Sequence, residues 1–545
     1  MSYIQEENIF YACGTPITVA QNEKGETHAY CTKTGEQLST SDLKFGKVYG
    51  GGKDTDVDST DVVMKSGFLF LLAAGGEGKS VQNTASVTLE GGMIGGYLYG
   101  GGNGDKIGNV YVKVTGGAIK HGFFGCGNSI ECGDVTIDFD GIICTNVTTG
   151  TRHPDGVITG KTKVVMNDGH ILDFKVGGGK HLKDATVEVY GGYIEKQFIK
   201  ALDGKLDLKI YENIFISNGV AGQFPMIPEG ADVSYLPAVE REAREDFYGD
   251  DSEFFDKSED KNNLVIRFFE LRHPDVPRSA TPFPAPFTGD CHVITFPDGR
   301  NMMVDTGNLY SEKEMSDGLE RLGITELEVF VMTHPHGDHM ANASKLIDKV
   351  KIKEIWIPDI DAQPALVAEQ QRLIEYNAVI EKAKNNGTKI VPVADGDVFT
   401  FGDVEILVLN PVRDGKPAVD MNENSVAMKV TYKENSAILC ADITDKSEKR
   451  LVSQYGDKLK TDLLKVPHHG IVYQSYYEFM DFCKPQAAFI HSIRDDGVFI
   501  RTTKYSYENV NGFDINNLFV AGRHGKVKVV FDGKSKNIKV IPQYK

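Results

Sequence analysis

Alternating hydrophobic and polar positions dominate the first 225 residues, and they recur in a common template. Stretches such as ASVTLEGGMIGGYLYGGGNG and NVYVKVTGGAIKHGFFGCGN share an alternating strand, a glycine pair, an isoleucine, a second short apolar strand and a glycine-rich corner. The equivalent isoleucines recur at intervals in the twenties, at Ile94, Ile119, Ile143, Ile171 and Ile194. A period of this length is too short for a propeller blade and is typical of one coil of a β-solenoid, or parallel β-helix.

The glycine-rich corners also allow a different interpretation, in which YGGGNG or VGGGKH cradles a phosphate group. A phosphate loop requires the pattern G-x-x-x-x-G-K-S/T or a helix directly after the glycines, and neither follows here. Glycine instead supplies the positive φ angles that tight corners need. We therefore predict that residues 1–225 form an all-β solenoid with a structural role, available for docking or oligomerisation.

The pattern changes twice after the repeats. Residues 226–263 contain prolines followed by an acidic tract, which predicts a linker. From Leu264 onwards, apolar strands such as LVIRFFEL, LEVFVMT and VEILVLNP alternate with helical stretches such as LVAEQQRLIEYNAVIEKAKNNG. Many strands with helices between them predict a layered α/β sandwich over residues 264–545, with the sheets inside and the helices outside.

Composition narrows the class of protein. A chain of 545 residues is too long for one ordinary core, so several domains are expected. The sequence has neither an apolar run of about eighteen residues nor a basic leader before an apolar segment, which predicts a cytoplasmic protein without a membrane span. Its eight cysteines lack C-x-x-C spacing, which argues against a zinc ribbon or a disulfide framework. The formal net charge of -18 disfavours broad attraction to nucleic acid.

The strongest chemical signal is the stretch THPHGDHM, which follows the apolar run LEVFVM. His334 and His336 alternate across one residue, so in extended backbone both imidazoles lie on one side and can bind one divalent metal. Gly337 lets the chain turn, so that Asp338 and His339 face the same cavity and can bind a second metal. The alternative is a histidine-rich surface loop, which would require this spacing to arise at a strand end by chance.

Two later segments offer further ligands at strand ends. Asp442 ends the buried strand of AILCADI, where its carboxylate could bridge two cations. His468 and His469 end the strand of LLKVPHHG. Taken alone, Asp442 would be a helix cap and the histidine pair an exposed turn. Their occurrence after the first motif favours metal binding instead.

With VDTG, THPHGDH, CADI and KVPHHG in succession, residues 264–545 resemble the metallo-β-lactamase superfamily. The combination of NENSVAMKV, SAILCADI and LLKVPHHG is similar to the branch that contains the nuclease-like domains of competence DNA-uptake proteins and the phosphorylcholine esterases of teichoic acid. The resemblance implies an αββα sandwich, two zinc ions and a metal-bridging hydroxide as the nucleophile. Manganese or iron would also be accepted by imidazole and carboxylate donors.

The resemblance further implies a role for each residue of these motifs. The implied metal ligands are His334 and His336 for the first metal, Asp338 and His339 for the second, Asp442 as a bridge, and one of His468 and His469 to complete the second site. We favour His469 as that ligand, so that His468 would meet the phosphoryl oxygen of the substrate. Asp338 would also aim the nucleophile, and Asp305 would orient a ligand histidine.

One ligand typical of the family is missing. No histidine occurs between residues 340 and 441, where lactamases and lactonases have their third-motif histidine, and Asn424 lies in the corresponding stretch. The first metal site is therefore expected to be short of one protein ligand. We predict a binuclear metal-dependent hydrolase that acts as a phosphodiesterase on a small or choline-phosphate-like ester, with nucleic acid less favoured. The alternatives are an acyl hydrolase of lactone or lactam type, and a non-catalytic solenoid binding protein with a structural metal site.

Overall fold

The computed structural model describes residues 3–181, 183–210, 215–216, 250–271, 289–364, 366–471, 476–492 and 497–544. These residues form two compact units. The first contains the described residues up to 216 together with residues 497–512, and the second contains the others. Of the predicted linker at 226–263, residues 226–249 lie outside the described residues, and residues 250–263 belong to the second unit.

The first unit is rich in β-strands. In chain order they are β1 (Ile4–Glu6), β2 (Ile9–Tyr11), β3 (Ile17–Gln21), β4 (Thr27–Cys31), β5 (Lys47–Tyr49), β6 (Thr60–Met64), β7 (Phe68–Ala73), β8 (Val81–Leu89), β9 (Met93–Tyr99), β10 (Gly102–Asn103), β11 (Lys106–Val114), β12 (Ala118–Ile119), β13 (Gly122–Phe124), β14 (Gly127–Asn128), β15 (Glu131–Cys132), β16 (Val135–Thr148), β17 (Val157–Ile158), β18 (Thr162–Gly177), β19 (Lys180–His181), β20 (Ala185–Val189), β21 (Tyr193–Ala201), β22 (Leu206–Ile210) and β23 (Phe215–Ile216). All of them except β10 and β14 lie in one 21-stranded sheet.

Most neighbouring strands of this sheet are parallel and come from successive repeats. Val62 pairs in register with Val87, Val87 with Val112 and Val112 with Ile137, so that partners lie 25 positions apart. All four side chains are fully buried. They belong to one continuous apolar core formed by the inward-facing residues of the repeats. The prediction of a β-rich N-terminal region is therefore confirmed.

A second parallel ladder contains the recurring isoleucines, with one change of register. This ladder runs through Ile94, Ile119, Cys144 and Ile171. The prediction that Ile143 occupies the ladder is wrong, because Ile143 pairs with Ala118 and is half-buried, whereas Cys144 is fully buried. The pairing of β16 with β18 is irregular on both sides of Asp140, which breaks the alternation on which the prediction depended.

Glycines with positive φ mark the corner before this second ladder. Gly92 and Gly117 lie in equivalent positions of successive repeats, and both have a φ of 90°. A Cβ atom on Gly92 would lie 2.9 Å from the carbonyl oxygen of Gly67 in the preceding repeat. The stacked corners therefore require glycine both for its backbone angle and for the close approach of neighbouring chains.

The second unit combines strands with helices. Its strands are β24 (Leu264–Phe268), β25 (His292–Thr295), β26 (Asn301–Val304), β27 (Glu326–Val331), β28 (Lys351–Pro358), β29 (Asp361–Ala362), β30 (Lys389–Val393), β31 (Val398–Phe401), β32 (Val404–Asn410), β33 (Pro417–Ala418), β34 (Ala427–Tyr432), β35 (Asn435–Leu439), β36 (Leu463–Lys465), β37 (Ala487–Ile490), β38 (Leu518–Val520), β39 (Val527–Phe531) and β40 (Lys539–Pro542). Its α-helices are α1 (Ser252–Phe255), α2 (Glu312–Arg321), α3 (Gly337–Met340), α4 (Ala343–Lys349), α5 (Val367–Asn385), α6 (Asp445–Tyr455), α7 (Tyr477–Cys483) and α9 (Ala521–His524).

Two sheets form the centre of this unit, as predicted. An eight-stranded sheet has the order β30, β28, β27, β26, β25, β24, β39, β40, and a seven-stranded sheet has the order β31, β32, β34, β35, β36, β37, β38. Side chains from both sheets, including Phe268, Val331 and Phe489, share one apolar core. A further core joins Met315 of α2 and Tyr376 of α5 to residues of the eight-stranded sheet.

The helices show two further features. Helix α8 (Val498–Asn509) lies in sequence between β37 and β38 but packs in the first unit. There the hydroxyl of Tyr505 accepts a hydrogen bond of 2.9 Å from the backbone N–H of Gly92. Among the described residues, no helix has both the length and the apolar character needed to cross a membrane.

Candidate metal centre

The histidine motif lies where β27 leaves the eight-stranded sheet. His334 follows the end of the strand by three residues, and His336 precedes α3, which contains Asp338 and His339. The rings of His334 and His339 have centroids 4.2 Å apart, and those of His334 and His336 are 4.6 Å apart. The motif's imidazoles come together as the chain enters α3 at Gly337, which has no positive φ, so the first turn of the helix brings them together rather than the freedom of glycine expected from the sequence.

The second group of ligands comes from the ends of β35 and β36. Asp442 follows β35, and a short 3-10 turn after β36 carries His468 and His469. Both histidines have left-handed backbone angles, with φ of 44° and 52°. Their Nε2 atoms lie 3.7 Å and 3.2 Å from Asp442 Oδ2. Two neighbouring side chains thus approach the same carboxylate because the backbone turns sharply between them.

Asp442 lies at the centre of the cluster. Its Oδ2 atom is 3.1 Å from His339 Nε2 and 3.9 Å from His334 Nε2. His469 Nε2 also lies 3.3 Å from Asp338 Oδ2. Ligand atoms of four predicted residues lie within 4.8 Å of one another, namely those of Asp338, His339, Asp442 and His469. The first motif lies more than a hundred positions before Asp442 and His469, yet the fold brings all of them to one point.

The remaining predicted residues lie beside this group of four. His334 approaches it through the 3.9 Å contact with Asp442. His336 Nε2 lies 3.7 Å from Glu369 Oε1, at the start of α5. His468 Nε2 lies 3.5 Å from the side-chain amide of Asn422. Within the described part of the chain, these three histidines therefore surround the four-residue group without belonging to it.

Hydrogen bonds fix which nitrogen each histidine presents to the cluster. His339 donates through Nδ1 to Asp305 Oδ2 at 2.7 Å, and His469 donates through Nδ1 to the carbonyl oxygen of His491 at 3.0 Å. The Thr333 hydroxyl donates to Asp305 Oδ2, so its oxygen can accept from His334 Nδ1 at 3.0 Å. In each case Nε2 faces Asp442, which is the arrangement that a metal-ligating imidazole requires.

The donor atoms fit a divalent metal. His334 Nε2 and Asp442 Oδ1 are buried and have no hydrogen-bond partner among the described residues, and the same is true of His336 Nε2. Buried polar atoms are normally paired, because leaving one unpaired costs about 1–3 kcal/mol. Imidazole nitrogen and carboxylate oxygen together suit zinc, manganese or iron. The cluster therefore has the chemistry of a metal centre, with one or two divalent ions as its natural occupants.

The two neighbouring histidines have opposite electrostatic environments. Burial lowers the pKa of His468 to about 4, because Asp442 compensates only in part for the loss of solvent. Burial would also lower the pKa of His469, but the carboxylates of Asp442 and Asp338 outweigh it and raise the pKa to about 9. The negative field that raises the pKa of His469 is the field that would attract a metal cation, which favours His469 over His468 as a ligand.

Sequence reasoning missed several residues of the centre. Asp290 and Lys465 form an ion pair, and both side chains are fully buried. Gly289 packs against the backbone of Asp338, since a Cβ atom there would lie 2.1 Å from the Asp338 carbonyl oxygen. A charged residue inside the apolar strand LLKVP was the available signal for Lys465. Asp290 and Gly289 have no such signal, because their importance depends on tertiary contacts alone.

The structure also shows which residue of the stretch around Asn424 faces the candidate metal centre. Asn424, which was singled out from the sequence, donates through its amide to the carbonyl oxygen of Asp420. Asn422, two residues earlier, instead contacts His468. The sequence therefore located the correct stretch, but the residue that faces the centre is Asn422.

Part of this chain is similar to known proteins. Residues 284–482 match the family described as the metallo-beta-lactamase superfamily. The chain is similar to ComE operon protein 3 of Bacillus subtilis (strain 168), with 26% identity over 219 residues. That match covers 37% of this chain and 27% of the relative, so the chain spans about a quarter of that protein's length.

Two solved structures are also similar to this chain. One is the metallo-beta-lactamase fold protein YhfI from Bacillus subtilis, with 13% identity, a TM-score of 0.29, and coverage of 47% of this chain and 96% of that chain. The other is described as a new diphosphatase from the PhnP family, with 13% identity, a TM-score of 0.30, and coverage of 49% of this chain and 98% of that chain.

Proposed function

Because residues 284–482 match the metallo-beta-lactamase superfamily, we propose that the chain is a metal-dependent hydrolase whose substrate is a phosphodiester. The observation that carries this proposal is the position of Asp442. Its buried carboxylate has four imidazole Nε2 atoms within 3.9 Å, two from the first motif and two from the last. One carboxylate surrounded in this way is suited to bridging two cations.

The residues that would hold the metals are those that surround Asp442. Asp338, His339 and His469 would hold one ion. His334, which lies 3.9 Å from Asp442, and its neighbour His336 would hold the other. When bound, such ions lower the pKa of water toward neutrality and neutralise the negative charge that builds up on the substrate during hydrolysis. The chain's own contribution is to fix the ligands through the Nδ1 hydrogen bonds described above and to exclude bulk water by burial.

His468 and Asp338 would act on the substrate rather than only on the metals. With a pKa of about 4, His468 is neutral at pH 7 and can donate a hydrogen bond to a phosphoryl oxygen without carrying charge. The Asn422 amide beside it offers a second donor on the same side. Asp338 would accept a hydrogen bond from the attacking water and aim it, because its carboxylate faces the cluster beside His469.

A phosphodiester fits this arrangement better than a lactone or lactam. The sequence has no histidine between residues 340 and 441, the stretch where acyl hydrolases of this superfamily have their third-motif ligand. The net charge of -18 favours a small or choline-phosphate-like ester over a long nucleic acid. We further propose that the stacked parallel ladders of the first unit are the coils of a β-solenoid that serves in docking or oligomerisation.

Hydrolysis of a chromogenic phosphodiester tests the proposed function. We expect the purified protein to contain divalent metal and to release nitrophenol from bis-nitrophenyl phosphate, with slower or no hydrolysis of lactones. Asp442→Ala should lose both metal and activity. Asp445→Ala is the matched control, because Asp445 lies three residues further along and pairs only with Lys449 at the helix surface among the described residues.

The outcomes separate the candidate functions. Preferential cleavage of lactones would contradict the phosphodiesterase assignment and favour acyl hydrolysis. Stoichiometric metal without turnover of either substrate class would contradict the hydrolase assignment and favour a binding protein with a structural metal site. Absence of metal after reconstitution would contradict the metal centre itself.

A further inference from the structure

A buried ion pair lies next to the candidate metal centre. Lys465, at the end of β36, pairs with Asp290, which precedes β25 in the other sheet. Both side chains have no solvent exposure. Burying a charged pair carries a large desolvation penalty, and such pairs commonly contribute little to stability compared with apolar residues of the same size. Its presence at this point therefore calls for an explanation other than stability.

Lys465 contacts the segment that carries Asp442. Its Nζ donates a hydrogen bond of 2.9 Å to the carbonyl oxygen of Ala441 and lies 3.9 Å from Asp442 Oδ1. Ala441 has a left-handed backbone conformation with a φ of 47°, which its side chain disfavours. The ammonium group thus holds the carbonyl of a strained residue immediately before the central carboxylate.

Asp290 contacts two further members of the group, His469 and Asp338. Its Oδ1 atom lies 3.6 Å from His469 Nδ1 and 3.1 Å from His491 Nδ1. Its backbone N–H donates to the carbonyl oxygen of Asp338 at 3.2 Å. Lys465 and Asp290 together therefore touch the segments that carry Asp442, His469 and Asp338, which come from three separate parts of the chain.

We propose that Lys465 and Asp290 are positioning residues, whose ion pair fixes Asp442, His469 and Asp338 in the geometry needed to bind metal. This inference rests on the proposed metal-dependent function. The pair acts through the ligands and does not touch the substrate. It joins the two sheets at one point, so that ligands from separate strand ends are held relative to each other.

Position and charge predict different effects, which makes the proposal testable. If the pair acted through charge alone, Lys465→Met would leave an extra negative charge and strengthen metal binding, whereas Asp290→Asn would weaken it. A double variant, Lys465→Met with Asp290→Leu, would then bind metal as the wild type does. If the pair acts by positioning, each single variant and the double variant should all bind metal more weakly, by about 10- to 100-fold.

Metal affinity should be measured on the full chain by competition with a chromophoric chelator, using zinc and cobalt. The absorption spectrum of bound cobalt reports ligand geometry, so a displaced ligand should change it even at saturation. Arg267→Met is the matched control, because Arg267 is also fully buried and pairs with Asp260 at 2.7 Å, in contact with residues 254 and 256 rather than with the predicted ligands. We expect this control to lose stability but to keep wild-type metal affinity and spectrum.

The double variant decides the matter if a single variant fails to fold, since it leaves no uncompensated charge in the core. Wild-type affinity and cobalt spectrum in a folded double variant would overturn the proposal. Tighter metal binding in Lys465→Met would overturn it as well, in favour of a purely electrostatic role. A wild-type protein that binds no metal would instead contradict the proposed function, so the two failures are distinguishable.

Discussion

Replacing Gly289 with alanine should weaken metal binding, although Gly289 is not one of the predicted metal ligands. Gly289 has a φ of 144°, a region that residues with a side chain rarely adopt. An added Cβ would lie 2.1 Å from the carbonyl oxygen of Asp338 and 3.0 Å from its carbonyl carbon. A normal contact requires a separation of about 3.2 Å or more, so the backbone of one of the two segments must move by about 1 Å.

The expected loss of stability in Gly289→Ala has two parts. Backbone strain at such an angle costs about 1–3 kcal/mol, and overpacking against a backbone atom costs about 1–3 kcal/mol more. We therefore expect Gly289→Ala to lower the free energy of unfolding by about 2–6 kcal/mol. A shift of about 1 Å at Asp338 also misplaces a predicted ligand and the neighbouring His339, which can reduce a rate by about 100-fold.

Gly299→Ala is the matched control for this experiment. Gly299 also has a positive φ, of 90°, but a Cβ atom there would meet no other atom within 4 Å. It should therefore cost only the backbone strain, about 1–2 kcal/mol, and leave metal binding unchanged. Urea unfolding of the two variants gives the stability, and a metal titration gives the affinity. Equal losses of stability with unchanged metal affinity in both variants would refute the reasoning.

Three other changes have definite expected results. Burial raises the pKa of Asp105 to about 6, so the stability that its protonated form contributes is lost as the pH rises from about 3 to 7. The difference in unfolding free energy between wild type and Asp105→Asn should fall by about 3 kcal/mol over that interval, as measured by urea unfolding at each pH. Asp305→Asn should weaken metal binding by about 10- to 100-fold, because the carboxylate that holds His339 Nδ1 is lost, and unchanged affinity in a chelator competition would contradict this role. Ile142→Ala should lower the free energy of unfolding by about 2–5 kcal/mol and Ile143→Ala by much less, because only Ile142 is fully buried. A larger loss of thermal stability in Ile143→Ala would instead support the register expected from the sequence.

The ligand motifs could be recognised from the sequence because each is local. His334, His336, Asp338 and His339 lie within six positions, and a strand end followed by the first turn of a helix is enough to place them close together. Asp442 and the histidine pair lie at the ends of apolar runs, and strand ends of one sheet share an edge. Short-range pattern and elementary sheet geometry therefore sufficed to identify the group that the structure brings together.

The surroundings of the ligands could not be predicted in the same way. Lys465 and Asp290 lie 175 positions apart, and neither belongs to a motif with a recognisable spacing. The second ladder contains Cys144 rather than the predicted Ile143 for a similar reason. An irregular strand pairing shifts the register, and the hydrophobic pattern of the sequence does not show it. The position of α8 in the first unit also depends on packing. All three are properties of tertiary contacts rather than of local sequence.

Backbone strain links the fold to the proposed chemistry. Asp305, Ala441, His468 and His469 all have positive φ, between 44° and 54°, although none is glycine. Such conformations cost about 1–3 kcal/mol each and persist only where surrounding contacts hold them. Here the contacts are the hydrogen bonds from Thr333 to Asp305 and from Lys465 to the Ala441 carbonyl. The strained geometry is therefore maintained by protein groups, so the ligands should keep their arrangement before any metal binds, and metal affinity should reflect how well the outer contacts hold them.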